Sequence, residues 1–549
     1  MLPFRMRGYF LCLRFFMGGI FMTVIRINQL KLTLGSRKLL DLKNLQVQTG
    51  KRIGIIGKNG SGKSTLFKIL AGEIEADIAN FSVSGTIAML PQMKPATSTN
   101  KSGGEISQDY IVHVLKKAPR ILLADEPTTN LDTSHIEWVE KKLNEFQGTL
   151  LLISHDRTLL DNVCGKIWEL EDGEITEYVG NYSDYVAQKA NEQKHQQKEY
   201  DKFKHKEQQL KQAISQKEQE AARATKKPEN VSNSEARQLG AQTYYAGKQQ
   251  KLHQNTKALE TRLEKLDAVE KPKEEIPIKM TLPNTRAFEN KTIIRAEKLA
   301  GQIDDKELWK PTTFFLKGGD KVGIIGSNGS GKTTLLKKII ERSDANLSVS
   351  PAVKIGYFAQ NMEILDTDKS IMENVKESSK QSETLIRTVL ARLGFIGEDV
   401  YKYIKVLSGG ERVKVSLAKI FVSDCNTLIL DEPTNFLDIY ALEALEDLLK
   451  NYEGTLLVVS HDRQFISAIS SKILAFEDKE LNLFEGSYEA YINRSTSESR
   501  NVKGEQLMKI EMEITAVLSQ LSDPLLTKNE KEALDDKFQK LLKEKQSLE

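Results

Sequence analysis

The chain has 549 residues, 28% of them charged, and a formal net charge of +3. That balance excludes a globally basic nucleic-acid binder, although base can still be concentrated locally. Three cysteines, Cys12, Cys164 and Cys425, show neither metal-ligand spacing nor disulfide density, which suits a reducing, cytoplasmic setting.

The length predicts three or four domains. No uncharged apolar run reaches the ~18 residues of a membrane-spanning helix. In residues 1–21, Arg5 and Arg7 precede a mostly apolar stretch that Arg14 interrupts. A secretory leader needs a continuous apolar region, so we expect the folded chain to start near Met22. Residues 1–21 are then an extension outside it. Thr23-Val24-Ile25-Arg26-Ile27 reads as the first strand.

Gly57-Lys58-Asn59-Gly60-Ser61-Gly62-Lys63-Ser64 fits the phosphate-binding P-loop pattern. It follows an apolar run, Arg52-Ile53-Gly54-Ile55-Ile56, and opens onto a helix-like segment starting at Thr65. The whole arrangement recurs as Gly326-Ser327-Asn328-Gly329-Ser330-Gly331-Lys332-Thr333, before Thr334. Glycines let backbone N–H groups converge on phosphate oxygens, and the helix N-terminus adds partial positive charge. The candidate nucleotide-binding positions are therefore Gly57, Asn59, Gly60, Gly62 and Thr65, with Gly326, Asn328, Gly329, Gly331 and Thr334. Lys63 and Lys332 are expected to reach the outer phosphates, and Ser64 and Thr333 to offer hydroxyls to Mg2+.

Downstream of each P-loop comes a Ser-Gly-Gly-Glu element, Ser102-Gly103-Gly104-Glu105 and Ser408-Gly409-Gly410-Glu411. Placed before a helix, it makes a second phosphate-binding terminus. An apolar strand then ends in two acids, Asp125-Glu126 and Asp431-Glu432. A strand end delivers the first acid to magnesium, and the second is placed to polarise water. Next come Pro-Thr and an Asp-containing loop, Asn130-Leu131-Asp132 and Phe436-Leu437-Asp438. Ser154-His155-Asp156-Arg157 and Ser460-His461-Asp462-Arg463 follow. Recurrence at matched distances favours a γ-phosphate contact for His155 and His461 over a structural role. Alternating strand-like and helix-like segments over 22–182 and 281–496 predict two α/β domains around largely parallel sheets.

Between them, residues 183–280 are rich in Lys, Gln and Glu. Tyr200, Phe203, Leu210 and Ile214, and then Leu252, Leu259, Leu263 and Leu266, fall at helical spacing. This predicts two long antiparallel helices, with a break at 225–234 around Pro228. From 221 to 257 seven basic residues face two acids. A solvated helix pair and a tip that meets RNA phosphates, with Tyr244, Tyr245 and His253 interleaved, both fit that pattern. Residues 497–549 read as a further helical extension, with stripes through Leu507, Ile510, Ile514, Val517 and Leu521, and through Leu534, Phe538 and Leu541.

P-loop, Gln92 or Gln360, Ser-Gly-Gly-Glu, Asp-Glu and His, in this order in both halves, resemble the ATP-binding cassette. The resemblance implies two tandem P-loop cassette domains that close head to tail on two ATP molecules with Mg2+. One site would use Lys63, Ser64, Gln92, Asp125, Glu126 and His155, closed by Ser408 and Gly410. The other would use Lys332, Thr333, Gln360, Asp431, Glu432 and His461, closed by Ser102 and Gly104. In this scheme Ser64, Gln92, Asp125, Thr333, Gln360 and Asp431 surround the metal.

Two cassettes joined by a long α-helical hairpin linker, with no membrane span, resemble the ABC-F class. Members bind the bacterial 70S ribosome near the tRNA exit site. Their hairpin, here 183–280, reaches towards large-subunit rRNA and P-site tRNA. Ser102 follows Gln92 by 10 positions, whereas Ser408 follows Gln360 by 48. A first cassette this pared down is similar to the Vga-type antibiotic-resistance members, which implies protection from lincosamides, pleuromutilins and streptogramin A. A housekeeping ABC-F translation factor and the ATPase subunit of an exporter are the alternative readings. Two departures stand out. Leu34 occupies the place of an adenine-stacking aromatic, leaving ATP against GTP open, and the unlike Asp-loops leave the equivalence of the two sites open.

Overall fold

The computed structural model describes residues 22–35, 37–91, 103–129, 131–224, 239–266, 291–303, 306–359, 364–435, 437–494 and isolated positions between 510 and 542. Its contacts divide into two compact units, Tyr178–Pro277 and the remainder, which holds both cassettes. Among the described residues no helix is long and apolar enough to cross a membrane.

The first cassette runs β1 (Thr23–Leu34), β2 (Arg37–Gln48), β3 (Arg52–Ile56), α1 (Lys63–Leu70), β4 (Ile78–Val83), β5 (Ile87–Leu90), α2 (Gly103–Lys116), β6 (Ile121–Asp125), α3 (Thr133–Glu145), β7 (Thr149–Ile153), α4 (Arg157–Val163), β8 (Lys166–Glu171) and β9 (Glu174–Val179). A six-stranded sheet has the order β5-β6-β7-β3-β8-β9, and β5, β6, β7, β3 and β8 pair in parallel. Every residue of β6 and β7 is buried. That is why they read as continuous apolar runs rather than alternating ones. A second, antiparallel sheet, β2-β1-β4, supplies the alternating faces. Ile25, Ile27, Leu40 and Leu42 from it join Ile55, Phe67 of α1 and Trp168 in one core.

The hairpin unit contains α5 (Tyr182–Ala224) and α6 (Leu239–Glu264), which pack on each other. At 43 residues, α5 is about 65 Å long at 1.5 Å per residue. The apolar spacing works as a seam: Tyr200, Phe203, Leu210, Ile214, Leu259 and Leu263 are half-buried while most neighbours are exposed. The expected break at 225–234, and the side chains of Leu252, Tyr244, Tyr245 and His253, lie outside the described residues.

The second cassette repeats the plan with β10 (Thr292–Ile303), β11 (Lys306–Lys317), β12 (Lys321–Gly326), α7 (Lys332–Glu341), β13 (Leu347–Val349), β14 (Ile355–Phe358), α8 (Ile371–Glu377), α9 (Glu383–Arg392), α10 (Gly409–Phe421), β15 (Thr427–Asp431), α11 (Ile439–Lys450), β16 (Thr455–Val459), α12 (Arg463–Ile469), β17 (Lys472–Glu477) and β18 (Glu480–Glu485). The large sheet runs β14-β15-β16-β12-β17-β18, and the small one β11-β10-β13. Helices α8 and α9 form a subdomain between β14 and α10, opposite the pared-down 91–102 of the first cassette. Ser370 closes a capping box at the start of α8, and Ser382 caps α9, each satisfying N–H groups that a helix start leaves unpaired. Of the C-terminal stripes, the described Val517 and Leu541 are buried.

Candidate nucleotide-binding sites

Each P-loop joins a buried strand end to a helix start. Gly62 and Gly331 hold φ near +105°, the left-handed region where only glycine sits without strain. A Cβ on Gly331 would also strike the Trp309 ring at 2.7 Å. Lys63 Nζ donates to the carbonyls of Gly57 and Lys58 at 2.7 and 3.0 Å. Lys332 Nζ does the same with Gly326 and Ser327 at the same distances. Burial lowers both lysine pKa values, against the opposing charges of Glu126 and Glu432. Both lysines are thus tucked into their own loops, and the buried Ser61 and Ser330 hydroxyls have no hydrogen-bond partner among the described residues. A polyphosphate entering the loop would satisfy these groups.

The acids stand at the strand ends, as the parallel sheet requires. Thr333 Oγ1 donates to Asp431 Oδ2 at 2.9 Å, and Ser64 hydrogen-bonds Asp125. Burial raises both aspartates. No cluster of three His, Cys, Asp or Glu among the described residues could hold a metal alone. A hydroxyl and one carboxylate instead fit Mg2+, which takes few protein ligands and completes its shell with phosphate and water.

Glu126 and Glu432 adopt φ of +48° and +51°, a sparsely populated region for glutamate. Their N–H groups are pinned to the carbonyls of Ile153 and Val459 at 2.9 Å, which turns the side chains back towards the P-loop. Burial pushes each carboxyl up to about 8. His155 Nε2 lies 3.4 Å from Glu126 Oε1, and His461 Nε2 lies 3.4 Å from Glu432 Oε1. Burial, helped by the nearby lysine, lowers His155 to about 3 and His461 to about 4, so both imidazoles are neutral. Neither Glu Oε1 has a hydrogen-bond partner among the described residues. Each is an acceptor left for something that enters the site.

The cassettes meet reciprocally across these sites. Asp438 Oδ2 accepts the Asn59 N–H of the opposite P-loop at 3.1 Å, and Asp132 Oδ2 accepts the Asn328 N–H at 3.2 Å. Each aspartate also caps its own helix, α11 or α3. Arg157 forms a buried ion pair with Glu446, and Arg463 pairs with Glu137 at 3.1 Å. Ser408 caps α10 in a capping box, and Gly410 sits in the first turn of that helix. Lys414 of α10 reaches Asp438 at 2.9 Å, tying the helix to the first P-loop. Gly104 lies in the first turn of α2, against His135.

Gln92, Ser102 and Gln360 lie outside the described residues. Leu34 is largely exposed, at 59%. The sequence reading named the Asp132 and Asp438 loops without giving them a role. Their signal was present in the doubled Pro-Thr-x-x-Leu-Asp spacing. Arg157 stands in the doubled Ser-His-Asp-Arg segment, whereas Lys414 and Glu446 carry no such signal.

The paired sites and sheets define a tandem-cassette ATPase. A family model described as ABC transporter matches residues 40–98 and 309–435, and a second with that description matches 168–281. The chain is 32% identical over 536 residues to the ribosome protection protein VmlR of Bacillus subtilis strain 168, covering 91% of this chain and 94% of that one. It is 32% identical over 473 residues to the erythromycin resistance ATP-binding protein MsrA of Staphylococcus epidermidis, covering 82% and 96%. A solved structure of archaeal ribosome recycling factor aABCE1 with stalk protein aP1 shares the fold, with TM-score 0.56, 19% identity, and coverage of 86% and 92%. The chain belongs to the ATP-binding cassette superfamily and, within it, to the ABC-F family.

Proposed function

We propose that this ATPase binds the bacterial ribosome near the tRNA exit site and protects it from antibiotics of the peptidyl-transferase centre. Lincosamides, pleuromutilins and streptogramin A are the classes we assign. The supporting observation is the long α5–α6 hairpin set in sequence between two reciprocally engaged cassettes, in a chain that matches a ribosome protection protein over 91% of its length. The hairpin of residues 183–280 is the element that would contact large-subunit rRNA and P-site tRNA.

At each site the P-loop N–H groups and Lys63 or Lys332 bind the phosphates of ATP. Ser64 and Asp125, or Thr333 and Asp431, with Gln92 or Gln360, would hold Mg2+. Bound magnesium supplies charge neutralisation on the β- and γ-phosphates. Glu126 and Glu432 orient a water and accept its proton, for which a raised carboxyl pKa is suited. Neutral His155 and His461 donate towards the γ-phosphate. Ser408 with Gly410, and Ser102 with Gly104, close the opposite sites. ATP binding favours the closed, ribosome-bound form, and hydrolysis permits release.

The test is a Glu126→Gln, Glu432→Gln double variant. In ATP it should co-sediment with 70S particles far more than the unsubstituted protein. In vitro translation stalled by lincomycin should recover when the unsubstituted protein is added. Co-sedimentation without recovery would point to a translation factor that gives no drug protection. No gain in co-sedimentation would overturn the release step.

A further inference from the structure

The two halves secure the crossing aspartate by different means. In the second cassette a lysine on the signature helix does it: Lys414 of α10 donates to Asp438 Oδ2 at 2.9 Å. Both side chains are nearly buried, and Asp438 in turn accepts the Asn59 N–H. Burial pushes the Asp438 pKa up, but the Lys414 charge and hydrogen bond, together with the Asn59 and Ala441 N–H groups, outweigh it and the net shift is down. At the same offset from Ser-Gly-Gly-Glu the first cassette has Gln108, which cannot form that ion pair.

The first cassette has a counterweight at another position. Where α11 carries Ala441, α3 carries His135. Its Nδ1 lies 2.5 Å from Asp132 Oδ1, while the opposite edge of the ring lies against the signature helix. A Cβ placed on Gly104 would stand 2.7 Å from His135 Nε2. The imidazole therefore spans from the crossing aspartate to the first turn of α2. Burial raises the Asp132 pKa, but hydrogen bonds from His135, Ser134 and the Asn328 N–H hold it well below the usual range. A helix lysine with an alanine in one half is thus answered by a helix glutamine with a histidine in the other.

We propose that His135 is a positioning residue for hydrolysis at the Lys332 site, coupling the signature helix α2 to Asp132 and through it to the opposite P-loop. Lys414 does the equivalent work at the Lys63 site. The proposal rests on the ATPase assignment alone and is independent of the ribosomal partner. Because each link acts by holding a donor–acceptor geometry at the closed interface, its loss falls on turnover more than on ATP binding.

The experiment compares steady-state ATPase kinetics of the full chain carrying His135→Ala, Lys414→Ala, and each of these combined with Gln108→Lys. Thermal midpoints serve as a folding check. His135→Ala should lower total kcat by about half, the share of the Lys332 site, with KM for ATP within about twofold. Gln108→Lys installs on α2 the lysine that α10 already has. It should restore most of kcat to His135→Ala and none to Lys414→Ala. An unchanged kcat in His135→Ala, rescue of neither variant, or equal rescue of both would overturn the assignment.

Discussion

The two cassettes differ most between the fifth strand and the signature helix. In the second, residues 359–408 include α8 and α9, whose Ile371, Val375, Ile386 and Leu390 merge with α10 and α11 in one core. In the first, only residues 91–102 span the same interval. Yet the chemistry at the sheet ends is nearly superposable. The lysine lies 2.7 Å from its loop carbonyl in both halves, and the His–Glu distance is 3.4 Å in both. The sites therefore depend on the sheet cores that the halves share and not on the helical subdomain. The helical subdomain instead braces α10, while in the first cassette the interval is only residues 91–102 and His135 lies against the first turn of α2.

The interface is similarly unequal. Arg157 and Glu446 are both almost fully buried, while Glu137, the partner of Arg463, is 64% exposed. Tyr440 adds a 2.6 Å bond to Glu169 across the same side. One ion pair of the interface is buried and the other is solvent-exposed.

Replacing Glu126 and Glu432 together by Gln should lower ATPase turnover by about 10²–10⁴-fold, the usual worth of a general base. The single variants, measured side by side, show whether the unlike Asp-loops make one site dominate. Sites that each retain half the turnover would argue that the asymmetry has no kinetic consequence.

Glu446→Ala leaves Arg157 buried without its main counter-charge. We expect it to weaken cassette closure by about 3–5 kcal/mol. Glu137→Ala should cost no more than about 1 kcal/mol, since exposed pairs are screened. ATP-dependent compaction followed by small-angle scattering measures both, and equal costs would refute the distinction between the buried and the exposed pair.

The raised glutamates imply a pH effect in nucleotide-free protein. Burial lifts both from the ordinary 4.5 to about 8. Between those values the folded state holds more protons than the unfolded, so stability falls as pH rises through that window. Gln at either position removes the penalty. The melting temperature of each variant should exceed that of the unsubstituted chain by more at pH 8 than at pH 5, reflecting on the order of a few kcal/mol per site. A constant difference across pH would show that these carboxyls are ordinary.

The smallest effect is confined to the second cassette. Ser370→Ala removes the capping box of α8 and should cost about 1 kcal/mol. Faster amide exchange in residues 371–377, with an unaltered first cassette, would report it.

Residue order alone identified the P-loops, the acidic strand ends, the Ser-His-Asp-Arg segments and the helical seam of the hairpin. Each is a local pattern: apolar runs mark strands buried on both faces, and a spacing of three or four marks a helix. Other features only the folded chain could decide. Asp438 meets Asn59 across 379 positions, and Arg157 meets Glu446 across 289. No periodicity relates residues so far apart; shape and burial choose them. The left-handed turn at Glu126 and Glu432 is likewise imposed by a neighbouring strand's carbonyl, because nothing in glutamate's own preference leads there. The exchange of a helix lysine for His135 was invisible for the same reason: its meaning lies in which groups the fold brings to a shared aspartate.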